Sequence, residues 1–233
     1  MEKQMTATRV LHGGKPITGG MHIRGGSSEK PLGHVGTPPA GTLVRAFAGL
    51  PTPAARGTFA FALQSSSTSI DLDIFEEVGE PSFFSSRVSA KSVRDQLKGS
   101  GAKPINVKIN SRGGDVFDGL AIYELLKEHP APVTVDIDGI AASIASIIAM
   151  AGNSIRIKSS ATLMIHDPWG AMAGSAQEFR KMADLLDRSR NTLADIYATR
   201  SRQPRERVLQ LMRDETHMNA IEAQRLGFAD EVR

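Results

Sequence analysis

The chain contains no cysteine among its 233 residues. Disulfide staples, thiolate metal sites and a cysteine nucleophile are therefore excluded, and the composition is compatible with the cytoplasm. No apolar run reaches the ~18 to 20 residues needed to span a bilayer. The most apolar window, Ile137 to Gly152, is interrupted by Asp138, Ser143 and Ser146. It reads as a strand end followed by a buried helix. The N-terminus lacks the apolar core of a secretory signal. No Lys-Ser/Thr pair follows the Gly113-Gly114 turn, so that turn is not a P-loop.

What is present is the balance of an ordinary globular chain, 40% hydrophobic and 23% charged. The net charge of +3 is unevenly spread. Residues 1–67 hold seven Lys/Arg against two Glu, and 11 of the 22 glycines. No amphipathic period is sustained there, so this stretch is expected to be a flexible basic Gly/Pro-rich extension, ending in a short strand at Thr58–Leu63. Its charges are scattered, which points to a solvated arm and not to a nucleic-acid-binding block. The remainder, 68–233, is net acidic.

From Ser69 onward the pattern alternates. Strands are predicted at Ile70–Phe75, Ile105–Ile109, Val133–Ile137, Ser154–Lys158 and Thr162–Ile165, from β-branched content and alternation. Ser89 caps a helix to about Leu97, and another helix covers about Val116–Glu128. A small-residue helix occupies Ser143–Ala151. Ser175 with Glu178 forms a capping-box signature opening a long helix to about Arg200. A further helix spans about Arg205–Arg213. Asn219 with Glu222 repeats the signature, and Gly227 sits at a helix C-cap. This alternation implies an α/β domain with a mostly parallel sheet and flanking helices, with functional groups at strand C-terminal ends.

Four segments could carry chemistry. In Gly139-Ile140-Ala141-Ala142-Ser143-Ile144-Ala145-Ser146 a serine opens a helix directly after a buried strand, where unpaired backbone N–H groups can stabilise an oxyanion. In Met164-Ile165-His166-Asp167-Pro168-Trp169-Gly170 an apolar strand ends on a histidine that can reach a neighbouring helix start. Ile109-Asn110-Ser111-Arg112-Gly113-Gly114-Asp115 places two glycines at a strand-to-helix junction, allowing close backbone approach to a ligand. Asp214-Glu215 supplies a carboxylate that could fix a histidine tautomer. Each alone has a bland reading: close helix packing, a backbone-bonded histidine, an ordinary turn, surface charge.

Together and in this order the segments resemble the ClpP serine peptidase family, over about Leu72 to Val232. "INSRGGDVFDGLAIYELLK" resembles its Gly-Gly oxyanion loop and following helix, "GIAASIAS" its nucleophile motif and "LMIHDPWG" its histidine motif. "NAIEAQRLGFADEV" resembles its C-terminal signature. The stretches "HDPWG" and "DETHMNAIEA" are most similar to the phage and prophage branch of head maturation proteases. The resemblance implies the ClpP/crotonase-like superfold with a protruding handle helix, here the helix from Ser175. It implies Ser143 as nucleophile, His166 as base and then acid, and the N–H groups of Gly114 and Ile144 as oxyanion hole. The acid aligns with Glu215, with Asp214 the alternative. Arg112 stands where the family often has proline.

It further implies a homo-oligomeric ring, possibly stacked, acting on protein substrates such as phage scaffold or capsid precursors in a bacterial or phage-infected host cytoplasm. Neither metal nor organic cofactor is implied, and neither a membrane nor a nucleic acid partner. No ATP-binding motif occurs in the sequence, so any AAA+ unfoldase would be a separate chain. A crotonase-type acyl-CoA enzyme shares the superfold but would not need Ser143 followed 23 residues later by His166. For a serine protease with a lysine base, Lys103 and Lys158 are candidates upstream of His166, and neither lies in a recognisable motif. A catalytically silent ring-forming assembly subunit would keep the fold without a working triad.

Overall fold

The computed structural model describes residues 68–81, 86–99 and 101–233, and the backbone of residues 44–47. In chain order the first elements are β1 (Val44–Phe47), β2 (Ile70–Ile74), α1 (Ala90–Leu97), β3 (Ile105–Ser111) and β4 (Gly113–Asp115). Next come α2 (Val116–Lys127), β5 (Val133–Ala142), α3 (Ile144–Ala149), β6 (Ser154–Ile157), β7 (Thr162–Ile165) and β8 (Trp169–Gly170). The chain closes with α4 (Ala176–Ser201), α5 (Arg205–Arg213), β9 (Thr216–Asn219), α6 (Ala220–Arg225) and β10 (Glu231–Val232).

The main sheet runs β10-β6-β5-β3-β2, with every neighbouring pair parallel. Its central strands are rich in Ile and Val, and Ile105, Val107, Ile109, Val135 and Ile137 are fully buried. Parallel strands need crossovers, and the helices between them cover the sheet. The expected α/β fold with a mainly parallel sheet is therefore present.

One irregularity steers the chain toward the site. Ile109 pairs with Ile137, but Ser111, two residues on, pairs with Ala141. The extra length in β5 forms a bulge, which bends the strand. The Asn110 side chain fills it: its Oδ1 accepts from Ile140 N at 3.2 Å, and a Cβ on Gly139 would lie 2.5 Å from that oxygen. Before the bulge β5 pairs with β6, and beyond it Ile140–Ala142 pair with β7. β5 thus ends beside β7, and the next residue is Ser143.

Helix starts follow the sequence closely. Ser89, Ser175 and Asn219 each accept a bond from the backbone N–H of the third helical residue and donate their own backbone N–H to its side chain in return. Asp115 caps α2, accepting from Phe117 N and Asp118 N, both at 2.9 Å. Gly227 follows α6 at φ +82°; there a Cβ would meet the Ser201 carbonyl oxygen at 2.4 Å.

The structure departs from the sequence reading in its short strands. The turns around Gly113 and Trp169 are strands β4 and β8, and β9 pairs antiparallel with β7. The stretch read as an extension without sustained pattern contains strand β1. None of these has enough length or alternation to announce itself; each takes its ladder from distant partners. The strand expected at residues 58–63, and the rest of residues 1–67, lie outside the described residues. No helix among the described residues is long and apolar enough to cross a membrane.

Candidate active site

Ser143 occupies the residue between β5 and α3, with φ 57° and ψ −129°. A non-glycine residue there carries strain on the order of 1–3 kcal/mol and is held by its surroundings. The surroundings are explicit. Ser143 N donates to Met164 O of β7 at 2.9 Å, and Ser146 N donates to Ser143 O at 3.0 Å. The Ser146 hydroxyl lies 2.6 Å from Ser143 O and 3.0 Å from Met164 O. Tyr197 of α4 reaches in from the other side, its Oη 2.7 Å from Ser146 Oγ and 3.4 Å from Ser143 O. Burial pushes the Tyr197 phenol above its ordinary range, so it stays a neutral O–H donor. The hydroxyls of Tyr197 and Ser146 thus brace the carbonyl of Ser143 and leave its side chain to face the other way.

His166 stands directly after β7. Since β7 runs parallel to the end of β5, the two C-terminal ends bring residues 143 and 166 together. His166 Nε2 lies 2.8 Å from Ser143 Oγ. Ser143 is 3% exposed and His166 7%. Burial lowers the His166 pKa from its ordinary value; the negative charge of Glu215 opposes this, and His217 reinforces it. A neutral imidazole at neutral pH can accept the serine proton.

The two candidate acids part company. Asp214 ends α5, and its Oδ1 accepts from Gln210 Nε2 at 2.8 Å. Glu215 turns the chain from α5 into β9 at φ +47°, and its charge is the one that acts on His166. Among the described residues, the only hydrogen bond to the His166 ring is that with Ser143. Glu215 therefore acts on His166 as a charge through space.

The Gly-Gly segment closes the remaining side. Gly113 has φ +100°, and a Cβ there would lie 2.8 Å from both Ala142 O and Ser143 Cβ, and 3.1 Å from Ile144 N. Gly114 has φ +151°, and its Cβ would meet Val78 O at 2.0 Å. Both positions require glycine, because backbone occupies the space a side chain would need. Gly113–Gly114 thus lie against the start of α3, where Ile144 N also belongs. The Asp115 carboxylate is engaged in capping α2, and Arg112 is exposed.

Ser143 thus meets His166 by a hydrogen bond and abuts Gly113 and Ile144; Glu215 reaches His166 by its charge, Gly114 packs against Val78, and Asp214 bonds to Gln210. Ser146 and Tyr197 were not singled out by sequence reasoning. Ser146 lies within the nucleophile motif, one helical turn after Ser143. Nothing in the sequence marks Tyr197, 51 residues from its partner.

The arrangement suits acyl transfer by a serine, and comparison with known proteins agrees. Residues 89–233 match the Clp protease family. The chain is 36% identical over 134 residues to an ATP-dependent Clp protease proteolytic subunit of Pleurastrum terricola, covering 56% of this chain and 68% of the relative. It is 32% identical over 130 residues to the protein of the same description from Deinococcus radiodurans, covering 55% and 64% respectively. The chain spans about two thirds of the length of these relatives, and it belongs to the Clp protease family, a family of serine-type endopeptidases.

Proposed function

We propose that this chain hydrolyses peptide bonds through Ser143, His166 and Glu215, and that its substrates are phage scaffold or capsid precursor proteins. The observation that carries the catalytic reading is the 2.8 Å approach of His166 Nε2 to Ser143 Oγ, made by a serine in a strained turn between strand and helix. Ser143 Oγ attacks the peptide carbonyl as His166 Nε2 takes its proton. The N–H groups of Gly114 and Ile144 receive the oxyanion. Collapse expels the amine, which leaves with the proton from His166. Water, deprotonated by the same imidazole, then releases the acyl group and restores Ser143. Glu215 stabilises the imidazolium formed on the way.

The substrate class rests on the stretches "HDPWG" and "DETHMNAIEA", which resemble the phage and prophage head maturation branch. A homo-oligomeric ring built with α4 as its handle, in a bacterial or phage-infected cytoplasm, belongs to the same proposal. Labelling with a fluorescent fluorophosphonate tests the catalytic reading. Wild type should label, and Ser143→Ala and His166→Ala should not, with peptide hydrolysis reduced on the order of 10⁶-fold in each. Failure of folded wild type to label would favour a silent assembly subunit. Incubation with a scaffold–capsid fusion tests the substrate class, and an uncleaved fusion beside a rapidly cleaved generic peptide would overturn it.

A further inference from the structure

A cavity of about 460 Å³ opens between the last turns of α2 and α4 and the end of α3. Ser143 precedes the first residue of α3, whereas Met150, which lines the cavity, follows its last. The cavity is thus at the opposite end of α3 from the nucleophile, and the mechanism above does not use it. Met150, Ile196 and Tyr123 give it an apolar lining. Cavities of roughly 300–1,000 Å³ hold small ligands.

Its charge is one-sided. Lys127, Arg200 and Arg202 bring three positive charges to it, and Asp230 brings one negative. Arg200 Nη2 donates to Asp230 Oδ2 at 2.6 Å, and the same oxygen accepts from Ile155 N at 2.7 Å. The side chains of Lys127 and Arg202 have no hydrogen bond or ion pair among the described residues. Cations in a last turn commonly answer the negative end of the helix, which carries roughly half a charge. α2 and α4 together then balance about one cation and Asp230 a second, which leaves an excess of about one positive charge. Arg202 has φ 59° and ψ 19°, a left-handed C-cap conformation that glycine adopts most easily. An arginine there bears a backbone strain that ending the helix does not require.

We infer that this cavity binds the C-terminal residue of a peptide, with Arg202 and Lys127 on the α-carboxylate and an apolar side chain against Met150 and Ile196. One surplus positive charge over an apolar lining matches a single carboxylate joined to an apolar body, and not a multiply charged phosphate. A guanidinium can take both oxygens of a carboxylate at once. Burial and the charge of Glu124 raise the pKa of the Tyr123 phenol, so it keeps its proton and supplies an O–H donor at the same place. The site stands apart from the catalytic reading. It is therefore measurable in a chain without the nucleophile, where the probe is not consumed.

The test titrates full-length Ser143→Ala into a short fluorescein-labelled peptide ending in leucine and follows fluorescence anisotropy. The peptide with a free carboxylate should bind saturably, and its C-terminal amide about tenfold more weakly or worse. Arg202→Gly, added to Ser143→Ala, removes a cation and suits the left-handed turn. It should weaken binding about tenfold while melting no lower than its parent. Lys127→Gln should weaken binding similarly. Unlabelled N-acetyl-leucine should compete, less tightly than the peptide. Equal binding of acid and amide, unchanged binding in both variants, or no binding at millimolar concentration would each overturn the site. Inorganic phosphate competing better than N-acetyl-leucine would overturn the carboxylate. Competition by N-acetyl-leucine as tight as that of the peptide would overturn the peptide and assign the cavity to a free small carboxylate. None of these outcomes depends on fluorophosphonate labelling of the wild type, so this inference and the catalytic reading fail separately.

Discussion

His166 is buried, yet the proposed mechanism has it take up a proton during each turnover, and its neighbours pull in opposite directions. Burial and His217 disfavour the charged ring, while Glu215 favours it. Because burial holds its pKa below the ordinary value, the ring is neutral at neutral pH. Glu215→Gln removes the one favourable charge, so the acidic limb of kcat/KM should move to lower pH. The same variant should lose up to about 10²-fold in kcat, less than the ~10⁴-fold typical of removing a triad acid, because Glu215 is exposed and makes no hydrogen bond to the ring. Asp214→Asn, whose carboxylate serves Gln210, should leave the profile unchanged. A pH–rate series on the two variants checks both statements, and a shift with Asp214→Asn alone would reassign the acid.

At the scale of elements, two contacts hold the nucleophile turn. α4 reaches it through Tyr197, whose ring also packs edge-on against Phe228 at 5.8 Å. Tyr197→Phe keeps that packing and removes the hydroxyl, which should cost about 1 kcal/mol of stability. It should also lower kcat more than it raises KM, since the braced carbonyl belongs to Ser143, the proposed nucleophile. Urea unfolding and steady-state kinetics measure the two effects separately. α2 meets α3 at Gly119, where a Cβ would lie 2.1 Å from Ile144 Cγ1. Gly119→Ala should destabilise the domain by about 1–3 kcal/mol through overpacking and displace Ile144 N from the oxyanion position. Full activity in that variant would separate Ile144 from catalysis.

Across the whole molecule, the first turns of α4 stand largely clear of the core. Of its apolar residues, Met182 and Leu193 are buried, but Phe179 near its start is 51% exposed. A phenylalanine so placed suits a contact with a second copy, consistent with the proposed ring assembly. Phe179→Asp should shift sedimentation velocity profiles toward smaller species while leaving the far-ultraviolet circular dichroism unchanged. An unaltered oligomer would take Phe179 out of the assembly surface.

The sequence by itself determined the elements whose information is local. Capping boxes at Ser175 and Asn219, the cap at Ser89 and the β-branched runs of β3 and β5 sit in consecutive residues, so their elements could be read directly. Ser143, His166 and the Gly-Gly segment were legible as motifs for the same reason. Only the tertiary structure decided what depends on residues far apart in the chain. It separated Glu215 from Asp214, because a positive-φ turn puts adjacent carboxylates in different surroundings. It recruited Tyr197 from 51 residues away to hold the nucleophile turn. It made strands of Val44–Phe47, Gly113–Asp115 and Trp169–Gly170, since so short a strand takes its hydrogen bonds, and hence its existence, from partners the local sequence does not name.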